Sequence, residues 1–127
     1  MKNQKTLLYT LIILAFFLIT GVSLADHKNT SESVTVIHLD QYGGYFDAKE
    51  TLAGLKSGKY EFVITNKTNK IVGFQIQNFK THEQLDKFPL EPNETRVSKV
   101  NITSDGFRFR CPINPTPWYE MDGVKDR

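Results

Sequence analysis

GFRFRCPINPTPWYEMDGV, residues 106–124, is the stretch whose reading decides the fold. Phe107, Phe109 and Cys111 alternate with Arg108 and Arg110. This is the period of a half-buried strand, with one face turned to a core and a basic face turned away. Pro112, Pro115 and Pro117 then convert the strand into a stiff loop, since proline cannot donate to a sheet ladder. The chain returns through Trp118, Tyr119 and Met121 to Gly123-Val124. A thiol at the end of a core-facing strand, with a thioether one loop later, is a donor pair suited to a soft metal ion. Cys111 is the only cysteine, so no disulfide can form within the chain, and the core alone must hold the fold together.

The same alternation runs upstream. Ser33–Leu39 (SVTVIHL) reads as a first strand, with Val34, Val36 and His38 on one face and Thr35, Ile37 and Leu39 on the other. Tyr42–Phe46 is aromatic and glycine-broken, the pattern of a bent strand, and Asp47–Leu55 reads as a helical turn or a loop. Tyr60–Asn66 is the clearest strand, with Tyr60, Phe62 and Ile64 on one face. Ile71–Gln77 follows a turn at Asn66–Lys70 and pairs most simply with Tyr60–Asn66 as an antiparallel hairpin. Thr81–Lys87 fits a short helix with Thr81 as its N-cap, and Pro89–Glu94 fits a connecting turn. Thr95–Ile102 alternates again, and Ser104-Asp105-Gly106 turns tightly into the Phe107 strand. About seven short strands with regularly spaced turn signals and little helix predict an all-β antiparallel sandwich or barrel.

Residues 1–25 form a separate object. Lys2 and Lys5 precede an apolar run from Leu7 to Leu18, and Ser23-Leu24-Ala25 has the small residues of a signal-peptidase site. The stretch Leu7–Ala25 is also long enough to serve as an uncleaved membrane anchor, the rival reading. A flexible lead-in at 26–33 and a single domain at 34–127 follow, about 100 residues around one core. The net charge is +2. Lys2 and Lys5 account for all of it, so the remainder is balanced, and neither nucleic acid nor an anionic membrane surface is an expected partner. The membrane enters only through the N-terminal segment, if it stays attached. The expected location is periplasmic or at the outer face of a membrane.

In order and spacing, GKYEFVITN (Gly58–Asn66), PLEPNETRVSKVNI (Pro89–Ile102) and DGFRFRC with PWYEMDGV (Asp105–Val124) resemble the cupredoxins. These are the Greek-key β-sandwiches that include plastocyanin and azurin. The resemblance implies a copper ion held at one end of the sandwich by two histidines, a cysteine and an axial methionine, with electron transfer as the activity. Cys111 matches the cysteine and Met121 the methionine. No histidine lies in the intervening PINPTPWYE, where Tyr119 is the nearest counterpart, and Val72-Gly73-Phe74 occupies the place of the other. One thiolate and one thioether suit Cu(I) but hold Cu(II) poorly, so an ordinary blue-copper carrier is not expected.

Each candidate has a plainer role. Cys111 is either a ligand or a small buried hydrophobe, and Met121 follows it. His82 is a surface histidine unless it reaches the Cys111 end as a further ligand. Trp118 and Tyr119 close the sandwich end or form an aromatic docking patch. Arg108 and Arg110 are solvated strand residues or a docking site for an acidic partner. Asn-X-Ser/Thr triplets at Asn29, Asn66, Asn93 and Asn101 matter only in a host that glycosylates exported proteins. No hydrolytic triad, paired-carboxylate motif, phosphate loop or CxxC is present, so an enzyme is not expected. Two readings remain. One is an exported electron-transfer-lineage protein with an altered copper site, Cu(I) favoured. The other is a copper-free scaffold acting as an accessory module for a redox or other protein partner. Its contact loop would be Pro112–Tyr119 (with Asn114, Pro117 and Trp118), shaped by Gly73.

Overall fold

The structure is a computed structural model that describes residues 32–126. The expected signal segment 1–25 and lead-in residues 26–31 lie outside it. Eight strands follow in order: β1 (Thr35–Gln41), β2 (Phe46–Ala48), β3 (Gly58–Asn66), β4 (Val72–Asn78), β5 (Gln84–Leu90), β6 (Thr95–Ile102), β7 (Phe107–Arg110) and β8 (Tyr119–Met121). They form two four-stranded sheets, ordered β2-β1-β3-β6 and β5-β4-β7-β8. No helix occurs among the described residues.

Alternation builds the core. Ile37 and Leu39 of β1, Tyr60, Phe62 and Ile64 of β3, and Ile102 of β6 turn inward from one sheet. Phe74 and Ile76 of β4, Phe88 and Leu90 of β5, and Phe107 and Phe109 of β7 meet them from the other. Phe62 joins the layers, edge-on to Phe107 at 5.4 Å and tilted against Phe74 at 6.1 Å between ring centroids. Burying each such side chain contributes about 1.5–3 kcal/mol.

The expected β3–β4 hairpin does not form. β3 pairs in parallel with β1 and antiparallel with β6, while β4 belongs to the opposite sheet. The sandwich is therefore mixed, not wholly antiparallel. Asn66, the fully buried last residue of β3, redirects the chain. Its Oδ1 accepts the Thr68 N–H at 2.8 Å and the Thr68 hydroxyl at 2.7 Å. Its Nδ2 donates to the carbonyls of Lys70, Leu90 and Glu91. Residues 66–70 thus become an arch between sheets, pinned to the end of β5.

The expected helix at Thr81–Lys87 is instead a turn and a strand. Asn78 Oδ1 accepts the N–H groups of Lys80 and Thr81, both at 2.9 Å, and Asn78 N–H donates to the Glu83 carbonyl. His82 takes a left-handed backbone, φ 61°. Local side-chain-to-backbone bonds outcompete the helix here, and Phe88 and Leu90 then alternate inward. Pro89, expected in a turn, lies in β5, an edge strand, where its missing N–H breaks no ladder. Asp47–Leu55 divides between β2 and a loop, with no helical turn.

Candidate functional site

Gln41, Gly73 and the loop after β7 meet at one end of the sandwich around Cys111. The Cys111 side chain is fully buried. Its sulfur lies 3.4 Å from the Gly73 nitrogen and 3.5 Å from the Asn114 nitrogen, so two backbone N–H groups donate to it. The Cys111 N–H donates to the Thr116 hydroxyl oxygen at 3.2 Å, and that hydroxyl donates to the Pro117 carbonyl at 3.0 Å. The proline loop is therefore fastened across its own neck by one buried threonine.

Gly73 is what lets this loop lie down. A Cβ there would stand 3.0 Å from Pro112 Cδ, 3.1 Å from Pro112 Cγ and 3.3 Å from Ile113 Cγ1. Gln41 closes the same end from the other sheet. Its Nε2 donates to the Gly73 carbonyl at 3.1 Å, and its Oε1 accepts the Gly43 N–H at 2.7 Å. Asn114 Nδ2 donates to the Gly43 carbonyl at 3.3 Å. Among the described residues no buried side-chain nitrogen or oxygen lacks a hydrogen-bond partner, and Val72 and Phe74 point into the core.

Met121 is not brought to Cys111. The β7–β8 register sets it opposite Phe107, four residues along the strand from Cys111, or about 13 Å. Tyr119 and Phe109, opposite each other and stacked at 5.0 Å, intervene. Metal–sulfur bonds of about 2.3 Å would require the two sulfurs to approach within about 5 Å. His82 sits in the turn after Asn78, and Asn78 also opposes Phe107, so this histidine is at the far end as well. Tyr119 does not offer its oxygen to Cys111; its hydroxyl accepts the Phe46 N–H at 3.0 Å. His38 lies on the outer side of the other sheet, its Nδ1 2.5 Å from Glu50 Oε1. Partial burial would raise the Glu50 pKa, but hydrogen bonds from the His38 N–H and ring outweigh it and hold it below the usual carboxylate value. Among the described residues, no group of three or more His, Cys, Asp or Glu side chains could hold a metal ion. Cys111 is thus a single soft donor at this end, with neither Met121 nor His82 beside it.

Three buried polar residues organise this end, Gln41, Asn66 and Thr116, and the Asn-X-Thr triplet at Asn66 gave no sign of that role. Gln41 had one sequence signal. It extends the inward row Ile37, Leu39 by two more positions.

Apolar side chains surround the sealed end. Ile71 and Ile113 are each about half exposed, at 50% and 52%. Tyr42 and Tyr45 stack on each other at 4.9 Å, and Tyr42, Ile71 and Asn114 line one shallow depression. On the outer face of β7, Trp118 lies against Arg108 and Arg110, with the guanidinium carbons 4.0 and 4.3 Å from its ring centroid. The arginines are half-buried rather than freely solvated, and Trp118 packs on the outer face instead of capping the end. No protein-family model matches this chain, and no curated protein matches it significantly.

Proposed function

We propose that this chain is an exported, non-catalytic, cupredoxin-like module of Greek-key topology whose copper site has been replaced by a sealed, hydrogen-bonded end. Its work is to bind a protein partner. What carries this reading is the placement of Met121 and His82 at the opposite end of the sandwich from the buried Cys111 sulfur. The residues around the absent site still present apolar surface, in Tyr42, Ile71 and Ile113. A patch of this kind on a small domain suits a protein contact better than a metal. The Ser23-Leu24-Ala25 pattern supports export, with a retained anchor as the other route to the same compartment.

The test has two arms. Purified protein offered Cu(I) without oxygen, or Cu(II) in air, should retain less than stoichiometric copper by elemental analysis and develop no visible thiolate-to-copper band. A stoichiometric complex lost in Cys111→Ala would overturn the copper-free reading. A photo-crosslinker at Ile113, in the native host, should yield a discrete adduct that Ile71→Asp abolishes and that the same crosslinker at Lys99 does not give. No adduct, or the same adduct from both positions, would refute the contact surface.

A further inference from the structure

The outer face of the β5-β4-β7-β8 sheet carries a second, differently built surface. Arg108 and Arg110 project from it beside Gln77 and Gln75, their register partners on β4. Gln77 Oε1 accepts from Arg108 Nε at 3.0 Å and from a terminal nitrogen of Arg108 at 2.8 Å. Gln75 Oε1 accepts from Arg110 Nε at 3.2 Å, and Gln75 Nε2 donates onward to Gln84 Oε1 at 3.3 Å. Trp118 packs against both guanidiniums. Two like charges are thus held against one indole ring and oriented by neutral carboxamides.

Among the described residues, no carboxylate lies within ion-pair distance of either arginine. Glu120 opposes Arg108 in register yet forms no ion pair with it. Lys87 opposes Gln75 from β5, which extends the positive row across the sheet. A guanidinium has five N–H donors. Arg108 spends two on Gln77 and Arg110 one on Gln75, which leaves further N–H donors on each of these half-buried guanidiniums. Fixed, unneutralised forks match carboxylates in bidentate geometry, with little ordering left to do on binding.

We propose that Lys87, Arg108, Arg110 and Trp118 form a docking surface for an acidic segment of a partner protein, its Asp or Glu carboxylates seated on the two guanidinium forks. The surface is separate from the apolar end patch and does not rest on that reading. Charge complementarity identifies the occupant, because the face offers positive charge and donors that its facing carboxylate, Glu120, does not pair with.

Trp118 is the only tryptophan, so its fluorescence reports this surface alone. Full-length protein would be titrated with an acetylated hexaglutamate peptide in low salt, with hexalysine and inorganic sulfate as comparisons. A saturable Trp118 change is expected with hexaglutamate, and raising the salt to about 0.15 M should weaken it. Arg108→Gln and Arg110→Gln should each raise the apparent Kd at least about tenfold, while Lys99→Gln on the other sheet leaves it unchanged. Arg110→Lys covers the case in which the glutamine variants fail to fold; it should also weaken binding, because an ammonium lacks the fork. The proposal is overturned if hexaglutamate gives no change, if sulfate at equal charge does as well, or if Lys99→Gln matters as much as Arg110→Gln.

Discussion

A hydrogen in place of a side chain at Gly73 lets the Pro112 ring lie directly against β4. The contacts a methyl would make there, at 3.0 and 3.1 Å, are with a rigid ring, and 3.3 Å away Ile113 blocks the remaining direction. Gly73→Ala should therefore push the loop outward and strain the bond from its own N–H to the Cys111 sulfur. The expected cost is about 1–3 kcal/mol in urea unfolding, the usual range for overpacking. The same variant should make Cys111 more reactive toward thiol reagents, because the amide and the proline leave together. A variant with unchanged stability and unchanged thiol reactivity would mean that Pro112 relaxes without cost, and that Gly73 does not shape this end.

At the scale of elements, the arch from β3 to β4 shows why the strands were legible in the sequence but their partners were not. Period-two patterning located Tyr60–Asn66, Thr95–Ile102 and the Phe107 strand, since burial of alternate side chains depends on the strand itself. Pairing depends on where the chain goes next, and there one side chain decides. Asn66 read as an ordinary turn residue, yet it makes bonds to residues as far away as Glu91, which no local pattern encodes. The lost helix has a similar cause, since Asn78 begins the turn that Thr81 seemed to cap. For the site, sequence spacing joined Cys111 to Met121 along the chain. The register, fixed by the Phe109–Tyr119 pair, separates them. Asn66→Ala should cost about 3 kcal/mol, because three carbonyls and the Thr68 donors lose their partner together. Asn66→Asp is nearly isosteric but aims an acceptor at those carbonyls, and should cost at least as much. If both variants unfolded at the wild-type urea midpoint, the arch would not depend on this side chain.

At the scale of the whole molecule, the two sheets share one core, and the chain has two natural reporters close to β7. Cys111 is buried at its end and Trp118 lies on its outer face. β7 pairs with β4 on one side and with β8 on the other, and its inward residues meet those of β3 through the Phe107–Phe62 contact. Parting the sheets or lifting the Pro112 loop would expose the thiol, whereas Trp118 would respond if the three-residue strand β8 merely frayed. A single cooperative transition predicts that both signals change at the same urea concentration. It also predicts that Ellman's reagent labels Cys111 at least about a thousandfold more slowly in native buffer than in the unfolded chain, as a stability near 5 kcal/mol implies. Earlier loss of the Trp118 signal with Cys111 still protected would mark β8 as a separately opening edge. Fast labelling of the native protein with Trp118 unchanged would mean that the Cys111 end opens locally. The thiol would then be accessible to solvent and to metal ions, and the reading of this end as sealed would fail.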